Sequence, residues 1–246
     1  MAMINEHDFP HSLSGIPFGS IGVLNPGAPQ FDPMKILRIH GYKNMEKIRP
    51  AIRKAADEIA EQAIGVMEPV VHFKRMAVAE CSRESLFLEN GLTFTNPVFI
   101  KYLFEAQEVV TVVITVGKEL DDEVDDFMDR FEPLEALFME TAGWLGIEWA
   151  TKKFVEFFNA GTKAEGRRLS KRLGPGYSYK VDGVEAVWSL EEQRQIFKAF
   201  DDVNLPVQLM ESCAMLPKMS RSGLYGLVSI NRSKDKHPEQ ELSSNE

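Results

Sequence analysis

The sequence predicts an α+β domain built around an antiparallel sheet, and three observations carry that prediction. The run Val109–Val116 is β-branched nearly throughout and strand-length, which marks a buried strand. Two short apolar stretches, Leu86–Leu88 and Leu92–Phe94, are joined by Glu89-Asn90-Gly91, and Asn-Gly between apolar runs is the strongest short-range hairpin signal. Finally, the order of elements is helix, strands, hairpin, strand, two helices, loop, helix, strands. A doubly wound parallel sheet would instead alternate single strands with single helices.

Each element has its own local reason. Residues 1–33 are rich in Pro and Gly (Pro10, Gly15, Pro17, Gly19, Gly22, Pro26, Gly27, Pro29, Pro33) and read as an extended arm. The arm carries Phe9, Ile16, Phe18, Ile21, Val23 and Leu24, so packing onto the chain's own body is favoured over binding a partner. Over 45–64, Ile48, Ile52, Ala55, Ile59 and Ala63 recur at helical spacing, with Pro50 confined to the first turns. Residues 69–79 alternate as a strand, with Val71, Phe73 and Met76 on one face and His72 and Lys74 on the other. A short helix is expected over 97–104. Gly117 ends the valine-rich strand, and a helix follows with Glu119, Asp121, Asp122 and Glu123 in its early turns, where the helix dipole favours anions. Its acids lack the spacing and central Gly of a calcium loop and read as a solvated face.

From Pro133 to about Phe158 a long helix places Leu134, Leu137, Phe138, Thr141, Leu145, Trp149 and Lys152 on one stripe. Ala142, Gly143 and Gly146 on that helix would admit a second backbone. Ser189 with Glu192 reads as a capping box for a helix to about Phe200, with Ile196, Phe197 and Phe200 inward. Leu205–Met210 and Leu224–Ile230 look like strands, and 231–246 is a charged, polar tail. The domain proper is therefore expected over 34–230.

Bulk properties narrow the function. The net charge is −9, from 28 basic and 37 acidic side chains, which argues against nucleic-acid binding and against a membrane-surface role. Cys81 and Cys213 are too few and too far apart for a disulfide framework or a metal-ligand set, which fits a reducing cytoplasm. The first residues lack the basic start and apolar core of a secretory signal, and no run approaches the ~20 apolar residues that span a bilayer.

Three segments could carry chemistry. The first is Arg172-Leu173-Gly174-Pro175-Gly176-Tyr177, where a turn that cannot be regular helix or strand is flanked by a guanidinium and a phenol. Arg172 could fork onto a carboxylate, or be one more cation in a run with Arg167, Arg168 and Lys171. Gly174 and Gly176 expose backbone that could bond a planar base, and Tyr177 offers a ring or a hydroxyl. The second is Glu148, which falls on the apolar stripe of the long helix, where a carboxylate needs a partner. A pair with Lys152 and a contact to a ligand ammonium are equally open. The third is Ser220, Ser222 and Gly223, which could equally be a strand start whose hydroxyls bond local backbone. Nothing nearby activates either serine. His40 and His72 read as structural, and there is no phosphate-binding Gly-rich motif.

In order along the chain, five segments resemble the activation domain of cobalamin-dependent methionine synthase, and especially its stand-alone relatives. They are Arg38-Ile39-His40-Gly41-Tyr42; Val113-Ile114-Thr115-Val116-Gly117-Lys118-Glu119-Leu120; Met139-Glu140-Thr141-Ala142-Gly143 through Glu148; Arg172–Tyr177, similar to Arg-Pro-Ala-Pro-Gly-Tyr; and Glu211–Gly223, similar to Glu-Ser-x-Ala-Met-x-Pro-x-x-Ser-x-Ser-Gly. The resemblance runs from about 34 to 226, and its last two segments are specific. It implies a twisted antiparallel sheet with flanking helices and an S-adenosylmethionine site. The site would use Arg172 for the methionyl carboxylate and Glu148 for a polar group of the ligand. It would set the backbone of Gly174, Pro175, Gly176 and Tyr177 near the adenosine, with Ser220, Ser222, Gly223 and Tyr225 completing it.

The implied function is reactivation. The module would support reductive methylation of cob(II)alamin carried by a separate corrinoid protein, a methionine synthase or another corrinoid methyltransferase, with a flavodoxin-like electron donor, in the cytoplasm and in methionine biosynthesis. Trp144 stands where the relatives carry a small Ser, and the paired tyrosines that complete the family's site have no clear counterpart. Those departures keep a second expectation open, a non-catalytic module that docks on a corrinoid protein with a degenerate S-adenosylmethionine site. A third, an unrelated small-molecule enzyme on the same scaffold, is less favoured.

Overall fold

A computed structural model describes residues 2–5 and 17–231. In chain order its elements are β1 (Ala2–Asn5), β2 (Ile21–Asn25), α1 (Met34–Ile39), α2 (Pro50–Val66), β3 (Val70–Cys81), β4 (Ser85–Leu88), β5 (Thr93–Thr95), α3 (Val98–Leu103), β6 (Glu108–Thr115), α4 (Glu119–Asp129), α5 (Pro133–Thr162), β7 (Arg167–Leu169), β8 (Ser178–Val181), β9 (Val184–Val187), α6 (Gln193–Lys198), β10 (Gln208–Leu209), β11 (Met215–Leu216) and β12 (Ser220–Ser229). The main sheet has the order β1-β2-β3-β6-β12-β7, with the β4–β5 hairpin added along β3. Its pairs are antiparallel except β1–β2. The α+β class and the antiparallel sheet expected from the sequence are those observed. Among the described residues no helix is long and apolar enough to cross a membrane.

The sheet is covered on both faces, which explains the valine-rich strand. Alternate residues of β6 point to opposite sides. Val110, Val112 and Ile114 enter a core with α1, α2, α4 and α5, while Val109 and Val113 enter a second core with α3, α6 and the hairpin. A strand buried on both faces loses the apolar–polar alternation. In the first core Phe73 of β3 meets Phe154, Phe157 and Phe158 of α5 with ring centroids 5.3, 6.2 and 5.9 Å apart. Each such pair contributes roughly 0.5–1.5 kcal/mol beyond the area it buries.

Several expectations change in detail. The arm expected over 1–33 contributes a sheet strand at Ile21–Asn25, with Ile21, Val23 and Leu24 buried. Phe9 and Ile16 of the arm, and the tail from 232 onward, lie outside the described residues. Met76 faces the second core, opposite Val71 and Phe73, because it is an odd number of residues from both.

The long helix buries more than one stripe, since it is wedged between α2, α4 and the sheet. Ala136, Met139, Ile147, Ala150 and Phe154 are inside, whereas Leu134, Leu137 and Lys152 are exposed. Gly143 admits side chains, not a second backbone: a Cβ there would meet Leu120 Cδ2 at 2.7 Å and Met219 Cγ at 2.8 Å. The capping box is only half formed. Ser189 Oγ accepts from the Glu191 N–H at 3.3 Å, but the Glu192 carboxylate accepts from Trp188 Nε1 and the Thr95 N–H instead. The strand expected over 205–210 is reduced to Gln208–Leu209, and the last strand starts earlier than expected, at Ser220.

Candidate functional site

The site is organised by β12, which pairs with β6 from Ser220↔Thr115 to Leu227↔Glu108. Alternation puts Arg221, Gly223 and Tyr225 on the face toward α5, and Ser222 and Leu224 on the other. Leu173 bridges Leu224 from outside the strand, with Leu173 N–H to Leu224 O and Leu224 N–H to Leu173 O both 2.8 Å. The Arg172–Tyr177 segment is thereby laid along the strand.

Close approach there depends on Gly223. A Cβ at that position would lie 2.7 Å from the Leu173 carbonyl oxygen and 2.9 Å from Arg172 Cγ. With no side chain in the way, the stem of Arg172 crosses the strand, Nη1 donates to the Ser222 carbonyl at 2.7 Å, and the guanidinium lies 5.0 Å from the centre of the Tyr177 ring. Among the described residues no carboxylate pairs with Arg172. Its remaining N–H groups and its full charge are what an anionic ligand group would engage.

The turn is closed by its own hydrogen bonds. Gly174 N–H donates to the Tyr179 hydroxyl at 2.7 Å, and that hydroxyl lies 3.2 Å from Gly174 O. Gly176, at φ +84°, turns the chain so that its N–H reaches Trp188 O at 2.7 Å, and Trp188 N–H returns to Tyr177 O at 3.0 Å. Tyr177 N–H points to Gly174 O at 3.4 Å. Pro175 is buried and has no N–H. The donors of this turn are therefore used within it, and what the segment presents outward is the Arg172 guanidinium and the exposed Tyr177 ring.

On the α5 side Glu148 accepts from Arg221 Nη2 at 2.5 Å, and Arg221 Nη1 lies 3.1 Å from Thr151 Oγ1. Glu148 thus pairs from α5 to the strand beneath it; Lys152 pairs with Glu156. The third member is Tyr225, 2% exposed, whose hydroxyl has no hydrogen-bond partner among the described residues. Burial pushes its pKa up to about 12, against the pull of Arg172 and Arg221 and with a push from Glu148. Tyr225 is a neutral donor without an acceptor, within electrostatic reach of two guanidiniums. The cluster is rich in donors, and its one carboxylate is engaged, so it fits a ligand group that accepts.

Glu148, Arg172, Tyr177, Gly223 and Tyr225 are brought together. Ser222 contributes its carbonyl, while its hydroxyl donates to Gln193 Oε1 at 3.0 Å on the opposite face. Ser220 lies at the strand's end, its Oγ 2.7 Å from Pro217 O and 3.0 Å from Thr115 Oγ1. Sequence reasoning missed Arg221 and Tyr179. For Arg221 the signal was the alternation 221, 223, 225; for Tyr179, only the tertiary turn reveals it.

Glu148 also lines a cleft of about 500 Å³ between α1 and α5, with Lys35, Arg38, Ile39, Trp144 and Leu145. Trp144 and Ile39 are about half exposed there. A larger cleft, about 930 Å³, lies just before the start of β12, around Glu68, Gly117, Lys118, Asp121 and Leu216–Pro217, and no residue of the cluster lines it. His40 and His72 are packed. His40 Nε2 is 2.7 Å from Thr141 Oγ1, and burial lowers the pKa of His72.

No protein-family model matches this chain, and no curated protein matches its sequence. Among solved structures, the crystal structure of the MetH reactivation domain bound to AdoHcy is similar in fold. The TM-score is 0.57 at 13% identity, over 92% of this chain and 85% of that chain. The fold implied by the sequence resemblance is therefore the fold observed.

Proposed function

We propose that the chain binds S-adenosylmethionine at the Arg172–Glu148–Tyr225 cluster and serves as a reactivation module for a corrinoid held by a separate protein. The observation that carries this is the coincidence, at one spot, of an arginine whose stem lies over Gly223 and whose guanidinium has no carboxylate partner among the described residues, and a buried tyrosine hydroxyl with no hydrogen-bond partner among them. The neighbouring fold, solved with AdoHcy, supports a ligand of that class. S-adenosylmethionine supplies a methyl on a sulfonium, and the acceptor is the partner's cobalt after one-electron reduction by a flavodoxin-like donor.

The chain's own residues bind and orient. Arg172 holds the amino-acid carboxylate, and its contact with Ser222 O fixes the direction of the fork. Tyr225 donates its hydroxyl proton as a hydrogen bond and stays protonated through the neutral range, because burial holds its pKa near 12. The Tyr177 ring lies over the guanidinium and offers its free side to the adenine. The partner docks across the α1–α5 cleft, where Trp144 and Ile39 are exposed beside Glu148. No acid–base step is asked of the protein: its contribution is placement of the methyl against the acceptor.

A second reading, a docking module without productive methyl transfer, is favoured by two features: Glu148 is held by Arg221, and the N–H groups of the 174–177 turn are internally bonded. Titration calorimetry with S-adenosylmethionine separates the two. Binding by the wild-type chain, lost in Arg172→Ala, supports the first; a folded protein giving no heat at millimolar ligand rejects it. Methylation of a partner's cob(II)alamin under reducing conditions, with and without the chain, then tests reactivation.

A further inference from the structure

We infer that Arg221 sets the charge selectivity of this site, making it favour the uncharged thioether S-adenosylhomocysteine over the cationic sulfonium S-adenosylmethionine. The inference rests on the proposed ligand class of the Arg172 site and concerns which member of that class it holds more tightly.

The two ligands share the adenosine, the carboxylate and the ammonium, and differ by one methyl and one positive charge at sulfur. Contacts common to both cancel in the ratio of their affinities, so what remains is the potential at the sulfur. Of the charges gathered at the cluster, Arg172 and Arg221 are positive and Glu148 is negative. Arg221 is only 12% exposed and donates to both Glu148 and Thr151, so it is locked in place, not swinging in solvent. With Glu148 neutralised by Arg221, the Arg172 charge is uncompensated among the described residues. Lys35 adds a further cation where Glu148 meets the α1–α5 cleft, while Arg38 there is paired with Asp32. A chain of net charge −9 thus gathers a locally positive cluster around Arg172, with Glu140 the further acid near the cleft, beyond Trp144. A fixed sulfonium several ångströms from an uncompensated guanidinium, at a partly exposed site, is disfavoured by about three- to tenfold.

The strand position of Arg221 accounts for its reach. It sits two residues before Gly223 on the same face of β12, one β-period from the point where Arg172 crosses. An apolar residue would satisfy the sheet equally well there, so the guanidinium is not a requirement of the strand.

The test is calorimetry on the full chain with each ligand, for wild type, Arg221→Val and Glu148→Gln, with thermal melts to establish folding. Wild type is expected to bind S-adenosylhomocysteine about three- to tenfold more tightly. Arg221→Val leaves Glu148 to balance Arg172 and should move the ratio toward S-adenosylmethionine by a similar factor, whereas Glu148→Gln adds uncompensated charge and should move it the other way. If Arg221→Val melts early, the Glu148→Gln ratio decides alone. Equal or reversed affinities in wild type, or a ratio that neither folded variant moves, overturn the selectivity while leaving the site reading standing. A folded wild type that binds neither ligand overturns both.

Discussion

Arg172 and Gly223 are complementary: the arginine stem occupies the space a side chain at 223 would take, with Cγ and Cδ at 2.9 and 3.1 Å from an ideal Cβ. Gly223→Ala must displace both that stem and the Leu173 carbonyl, which is held in the bridge to Leu224. The expected cost is about 1–3 kcal/mol of stability. Ligand affinity should fall further than the loss of folded protein explains. Urea unfolding and calorimetry on the same samples check this.

Tyr225→Phe separates stability from binding. Removing a buried hydroxyl that has no partner among the described residues should leave stability unchanged or raise it by about 1 kcal/mol. Losing a donor to an anionic ligand group should weaken S-adenosylmethionine binding about tenfold. A variant that is stable and binds normally removes Tyr225 from the site.

The same tyrosine predicts an alkaline limit. Its folded pKa, about 12, lies above the ordinary value of 10.0, so the folded state keeps a proton that the unfolded chain releases. Stability from this source is fully present below pH 10 and is lost as pH rises through about 12. Urea midpoints between pH 8 and 11 should fall more steeply for wild type than for Tyr225→Phe.

At the far end of β6, Glu108 accepts from Arg75 Nη2 at 2.6 Å and from Arg167 Nη1 at 2.6 Å, with all three side chains largely covered. Burial alone would raise its pKa, but the bonds from Arg167 and Arg75 outweigh it and hold the carboxyl below 4.5. The contribution is present above that value and is lost as pH falls through the lower folded one. Glu108→Gln leaves Arg75 without its carboxylate, while Arg167 keeps Glu165, and should cost about 2–3 kcal/mol at neutral pH. It should also flatten the acid limb of stability, read from urea midpoints between pH 3 and 7.

Trp144→Ser tests the docking face. The indole is 47% exposed, so the melting temperature should move by no more than about 2 °C. Calorimetry should show S-adenosylmethionine bound as in wild type, while methylation of the partner's corrinoid falls. Unchanged methylation would place the partner elsewhere.

The local chemistry of this chain was legible in its residues. The doubly covered strand showed in its unbroken β-branched run, the hairpin in Asn90-Gly91, the helix entries in Pro50 and Pro133, and the antiparallel class in the order of elements. Arg172, Glu148 and the Ser220–Gly223 segment stood out as candidates with an ordinary reading beside each, and Tyr225 entered only through the family resemblance. Errors arose where a side chain's partner is distant in sequence. The α5 stripe was misjudged because three neighbours bury that helix, and one period cannot describe three contacts. Glu148 had Lys152 four residues away, yet paired with Arg221, 73 residues on.

What the sequence alone determined is the α+β class and the larger elements, because periodicity and turn chemistry are local; several short strands and the α1 helix it left unread. What only the tertiary structure decided is the electrostatic state of the site. Burial of Tyr225, closure of the 174–177 turn by Tyr179 and Trp188, and capture of Glu148 by Arg221 all arise from strands and helices meeting across the core. A charge pairs with whatever the fold brings within a few ångströms, and sequence separation does not enter that distance.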